Sequence, residues 1–99
     1  MNHIEQAMRE ASELIYKGYQ KAAQKGFLPF CELPMPVIEA PKDPKNGDYA
    51  SSFAMRSAKS LKTAPAKAAE AICQNMELEG SLFSSAEWAG PGFINLRLS

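Results

Sequence analysis

Apolar residues recur at three- and four-residue steps from Ile4 through Ala7, Met8, Ala11, Leu14 and Ile15 to Ala22, the spacing of one face of a helix. This predicts an amphipathic helix over residues 2–24, stopped by Gly26. Gly18 in its interior costs about 1 kcal/mol against Ala and marks either a weak point or a close helix contact. Glu13 and Lys17 are spaced for a side-chain pair, and Lys17, Lys21 and Lys25 form a stripe that is read first as a solvated face. Between Phe27 and Pro36 three prolines and a lack of period predict an irregular crossing segment. Its Phe27, Leu28, Phe30 and Leu33 are available to cover a core.

Val37-Ile38-Glu39 is a short strand candidate, and residues 41–47, dense in turn formers, predict an exposed loop. Asp48 is placed to cap a helix over Tyr49–Leu61. Ala50, Ala54, Ala58 and Leu61 would give that helix a narrow packing face, and Arg56, Lys59 and Lys62 a basic edge that is read first as solvated and second as a candidate RNA contact. Thr63-Ala64-Pro65 breaks it and opens another, with Thr63 as a possible cap and Pro65 in the first turn. Ala69, Ile72, Cys73 and Met76 mark the buried face of this third helix, and Gly80 ends the segment.

The last element is the most informative. Gly90-Pro91-Gly92 is a turn that joins a strand at Phe83–Ala89 to a strand at Phe93–Leu98. If Trp88 lies on the core face, Ala86 and Ser84 share it and Glu87 points outward. In the final strand Ile94, Leu96 and Leu98 share the core face, while Phe93, Asn95 and Arg97 share the other. A ring, a carboxamide and a guanidinium in a row suit an unstacked nucleotide, through stacking, pairing with a base edge and contact with phosphate. Periodicity alone leaves this open beside the plainer account, and favours the plainer one, in which Phe93 packs under a helix and Asn95 and Arg97 are solvated. The whole pattern predicts an α+β single domain, with about three helices on a small, mostly antiparallel sheet.

Composition narrows the function. Ninety-nine residues with 45% hydrophobic and 22% charged residues make one ordinary globular core. Neither a bilayer-spanning apolar run nor a signal-peptide pattern is evident, so a soluble cytoplasmic chain is expected. Eleven basic residues balance eleven acidic ones, so nucleic-acid binding by this chain alone should be weak. Cys31 and Cys73 are too few and too far apart for a disulfide framework or a paired-cysteine motif and are expected to be reduced thiols. The sole histidine, His3, sits near a terminus, Glu10 and Glu13 have no evident cleft, and no phosphate loop or metal-ligand cluster is present. Catalysis by these residues is disfavoured.

Three stretches carry a resemblance: Pro41 to Ser51 with its Gly-Asp-Tyr-Ala, then Leu61 to Pro65 followed by Ala68-Ala69-Glu70-Ala71-Ile72, and finally Ala89-Gly90-Pro91-Gly92-Phe93-Ile94-Asn95. In order and spacing the chain resembles the N-terminal additional domain of bacterial arginyl-tRNA synthetases. The resemblance covers nearly the whole chain, though the first thirty-five or so residues add little beyond a leading helix.

The resemblance implies that residues 1–99 are the tRNA-recognition domain of a longer class I ligase. Its ATP- and magnesium-dependent catalytic domain and its anticodon-binding domain lie outside this stretch, so no aminoacylation is expected of the stretch alone. It further implies contact with the D-loop at the outer corner of the arginine tRNA, through Phe93 and Asn95 on a splayed-out base. The partners implied are that tRNA and the rest of the synthetase, with no membrane partner and a monomeric state. Arg97 stands where the family more often has an apolar or aromatic residue, so its phosphate role rests on strand alternation alone. Ala66 follows Pro65 where Arg is common, leaving Lys67 as a substitute. Beside this stands a function of another kind, a free-standing protein-interaction module that uses the Phe93 face as an apolar anchor.

Overall fold

The computed structural model describes residues 2–99. Helix α1 spans His3–Gln24 and begins where the Asn2 side chain accepts a hydrogen bond from the Glu5 N–H at 2.8 Å. It buries Ala7, Ala11, Ile15, Gly18, Tyr19, Ala22 and Ala23; of the stripe read from the spacing, Met8 and Leu14 are only half-buried and Ile4, in the first turn, is exposed. Gly18 is the close contact: a Cβ there would fall 2.7 Å from Met76 Cγ and 2.9 Å from the Ile72 carbonyl oxygen. The missing side chain lets α1 settle on the third helix.

The segment after α1 is irregular, as its prolines predict. Leu28 is buried and Leu33 packs on the core, but Phe27 and Phe30 are 65% and 71% exposed. A polar tether also holds the segment. The Tyr19 hydroxyl accepts from the Cys31 N–H at 2.7 Å and donates to the Pro29 carbonyl at 2.9 Å. The strand expected at Val37–Glu39 reduces to one bridge, Glu39 with Ala50, made by two reciprocal 2.8 Å bonds. Pro36 and Pro41 leave no room for a longer ladder.

Residues 49–51, expected to open a helix, instead form strand β1 (Tyr49–Ser51), and α2 begins at Phe53 and ends at Leu61. Asp48 is no helix cap. Its N–H donates to the Leu96 carbonyl and its Oδ2 accepts from the Leu98 N–H, each at 2.8 Å. Two backbone groups of a distant strand outcompete the local capping signal. The expected small-residue face splits accordingly, with Ala54 and Leu61 buried in α2 and Ala50 in the sheet.

Helix α3 (Pro65–Gln74) has Pro65 in its first turn, as read, but Thr63 does not cap it. The Thr63 hydroxyl donates to the Leu61 carbonyl at 2.9 Å. Ala69 and Ile72 are fully buried, whereas Cys73 and Met76 are half-buried against the core.

Strands β2 (Phe83–Ala89) and β3 (Phe93–Leu98) pair antiparallel across the Gly-Pro-Gly turn, and β1 pairs antiparallel on the other side of β3. The order is therefore β1-β3-β2, with α2 and α3 on one sheet face and α1 packed chiefly on α3. Among the described residues the fold is α+β, with three α-helices on a three-stranded antiparallel sheet. A bulge between Phe83 and Ser85 changes the alternation of β2. Phe83, packed edge-on to Tyr49 at 6.0 Å, becomes the buried aromatic of that strand. Trp88 lies opposite Ile94 on the core side but at the sheet's edge, 41% exposed, and Ser84 is displaced to the surface.

Candidate nucleic-acid interface

The strand alternation of β3 divides its faces cleanly at the centre. Ile94 and Leu96 have no exposure, while Phe93 is 39% exposed on the opposite face. Leu98, expected in the core, is 41% exposed at the end of the strand, where the register beside Phe83 is irregular. Asn95 shares the Phe93 face but is only 9% exposed, sunk between neighbouring strands. Among the described residues its carboxamide forms no side-chain hydrogen bond within the chain, and it is not sealed from solvent.

Phe93 and Asn95 belong to one cleft of about 300 Å³, completed by Glu39, Pro41, Asn46, Ala50, Ala89, Gly90 and Pro91. Its walls come from three separate pieces of chain. One is the turn at 90–92, fastened because a Cβ on Gly92 would lie 2.8 Å from the Pro65 carbonyl carbon. Another is the bridge at Glu39. The third is the 43–47 turn, in which Asp43 accepts from the Lys45 N–H at 3.1 Å and Gly47, at φ +87°, presses on the Leu96 backbone.

Arg97 has an internal occupation. Its Nη1 donates to the Pro44 carbonyl at 3.1 Å and its Nη2 to the Lys45 carbonyl at 3.0 Å, so the guanidinium clamps the turn that carries Asn46. The basic candidates are dispersed. Arg56 donates from Nε to Ser52 Oγ at 3.1 Å and lines a separate hollow with Met35 and Val37. Lys59 and Lys62 are exposed at the end of α2, Lys62 in the left-handed conformation at φ 52°. Lys67 is exposed in the first turn of α3, close in sequence to the Pro65 on which Gly92 rests.

Two further hollows differ in character. One of about 370 Å³ between α1 and residues 75–81 is lined by Glu10, Glu13, Glu77 and Glu79 with Lys17 and Lys21, and Lys21 is paired with Glu77. That pairing, by hydrogen bond and charge, lowers the Glu77 carboxyl below its ordinary value. Four carboxylates and no ring suit a polyanion poorly. The other is shallow and holds Cys73 beside Trp88 and Glu87. Burial first, and then the Glu87 charge, push the Cys73 thiol up to about 12, so it is neutral near pH 7.

The sequence assigns Glu39, Pro41 and Asn46 no site role, although Pro41 and Asn46 lie in the first stretch that carries the resemblance. They reach the cleft only through the sheet register and the Arg97 clamp.

Fold and cleft together define a small α+β module with a ring and an unengaged amide side by side on the helix-free face of its sheet. A family model described as arginyl tRNA synthetase N terminal domain matches residues 2–98. The arginine–tRNA ligase of Acetivibrio thermocellus is 37% identical over 98 residues, covering 99% of this chain and 17% of that protein. That of Listeria welshimeri is 42% identical over 79 residues, covering 80% and 14% respectively. In fold, the chain is similar to Plasmodium falciparum arginyl-tRNA synthetase (TM-score 0.68, 20% identity, 93% of this chain and 16% of that one). It is likewise similar to the Thermus thermophilus enzyme (0.65, 21%, 93% and 14%). The chain belongs to the arginyl-tRNA synthetase N-terminal domain family. It spans about 17% of the length of relatives such as the Acetivibrio protein.

Proposed function

We propose that residues 1–99 are the tRNA-recognition domain of an arginine–tRNA ligase, contacting the D-loop at the outer corner of the arginine tRNA to aid its selection. The observation that carries this reading is the cleft in which Phe93 and the unengaged Asn95 carboxamide lie together. Phe93 stacks on a splayed-out base and Asn95 pairs with its edge, with Gly90, Pro91 and Gly92 setting the ring's position. The adenylation and transfer chemistry, with ATP and magnesium, belongs to the catalytic domain of the longer cytoplasmic protein, which acts as a monomer. The balanced charge of this domain fits a contribution of shape and base readout rather than of bulk affinity.

The test is charging of the arginine tRNA by the parent enzyme carrying Phe93→Ala or Asn95→Ala, with melting of each variant as control. Loss of the ring is expected to cost about 1–3 kcal/mol, roughly a five- to hundredfold fall in efficiency, with arginine activation unchanged. Asn95→Ala should cost less and relax base discrimination, and the two losses should not add, because stacking must hold the base before the amide can reach it. Normal charging by both stable variants would transfer the Phe93 face to the protein-interaction function.

A further inference from the structure

Glu39, Ala50, Asn95 and Glu87 stand in one row across the sheet: Glu39 is bridged to Ala50, Ala50 is the register partner of Asn95, and Glu87 is the partner of Asn95 on β2, outside the cleft that Glu39 lines. Residues directly opposite in antiparallel strands project to the same face. Two strand spacings put Glu39 and Asn95 about 10 Å apart, and the side chain between them is a single methyl. The row is therefore a slot, floored by Ala50, with a carboxylate on one wall and a carboxamide on the other. Phe93 and Asn46 line the same cleft. Glu39 is exposed and enters no ion pair among the described residues.

A carboxylate only accepts hydrogen bonds, whereas the Asn46 and Asn95 amides both donate and accept. The wall opposite Asn95 thus has a fixed polarity, and that polarity chooses among bases. We propose that Glu39 is a specificity-determining residue of this cleft, accepting hydrogen bonds from the exocyclic amino group of the base stacked on Phe93. Adenine, cytosine and guanine present such a donor. Uracil presents one N–H flanked by two carbonyl oxygens, which a carboxylate repels. The same negative charge keeps phosphate out of the slot, so the base enters and the backbone stays at the rim. This inference rests on the RNA-recognition function proposed above.

The experiment is an NMR titration of the 99-residue chain with four D-arm hairpins of the arginine tRNA, identical except for A, C, G or U at the loop position that shifts the Phe93 ring signals. Wild type is expected to bind the U hairpin about tenfold more weakly than the best amino-bearing one. Glu39→Gln, which adds a donor, should shrink that gap to about threefold or less. Glu39→Ala should weaken the amino-bearing hairpins and leave the U hairpin unchanged. Neither variant should melt differently, because the Glu39 bridge to Ala50 is made by backbone atoms. Phe93→Ala should lower all four affinities alike. A Glu39→Gln chain with the wild-type ranking overturns the role of Glu39, and if Phe93→Ala still weakens every hairpin the RNA-recognition function stands. Binding that is absent for all four, or unchanged by Phe93→Ala, overturns both.

Discussion

Gly92 lies directly on Pro65. At φ +134° a Cβ on Gly92 would fall 2.8 Å from the Pro65 carbonyl carbon and 2.9 Å from its oxygen, so the turn that begins β3 is docked on the first turn of α3. Gly92→Ala must both strain the backbone and push α3 away, and is expected to cost about 2–4 kcal/mol. Gly90→Ala is the comparison. Its φ is +58° and the nearest atom to an added Cβ is Phe93 Cδ2 at 3.9 Å, so about 1 kcal/mol is expected. Urea midpoints of the two variants read the difference, and equal midpoints would mean that the turn is not held by α3.

Arg97→Ala should free the 43–47 turn by removing the two guanidinium bonds to the Pro44 and Lys45 carbonyls. Because these bonds are near the surface, a loss of about 1 kcal/mol is expected. The amide hydrogens of Asn46 and Gly47, which close this turn onto Asp43 and Pro44, should exchange faster with solvent. Arg97→Lys should restore little, since an ammonium lacks the planar fork that spans two carbonyls. Unchanged exchange at Asn46 and Gly47 in both variants would show that Arg97 does not hold the wall.

The two basic stripes should separate in a salt titration of tRNA binding. Lys21 is engaged by Glu77, and Lys17 shares its hollow with four carboxylates, so neutralising Lys17, Lys21 and Lys25 is expected to leave the log-log slope as it is. Neutralising Arg56, Lys59 and Lys62 should flatten it by about 0.7–0.9 for each phosphate that the domain no longer neutralises. Equal slopes in both triple variants would return both stripes to solvated surface.

Cys73 should be inert toward alkylating reagents. A thiol pushed from 9.0 to about 12 presents little thiolate, so in a Cys31→Ser background iodoacetamide at pH 8 is expected to react at least about tenfold more slowly than with a free cysteine. The sign for stability follows from the raised value. The contribution of the neutral thiol is fully present below pH 9 and fades as pH rises from 9 toward 12, where the unfolded chain ionises and the folded one does not. Melting of this chain against Cys73→Ala across that range isolates the effect, and parallel curves would contradict it.

Where one element's own period decides its structure, the sequence determined it. Helix α1, Pro65 at the start of α3, the Gly-Pro-Gly turn, the β2–β3 hairpin, and the division of β3 into an Ile94–Leu96 side and a Phe93–Asn95 side all follow from spacing that repeats within the element. Where two distant pieces of chain compete for the same backbone groups, only the tertiary structure decided. Asp48 looks like a helix cap until Leu96 and Leu98 bring it a carbonyl and an N–H, and Tyr49–Ser51 looks helical until β3 presents an open edge. The clamp role of Arg97 and the place of Glu39 in the cleft have the same origin. A guanidinium in strand alternation points to phosphate until a turn some fifty residues earlier offers it two carbonyls. Glu39 stays an ordinary carboxylate at the end of a short strand candidate until the register sets it across a single methyl from Asn95. Side-chain period is a local property of the chain, but hydrogen-bond partners across a sheet are set by register, which depends on every strand at once.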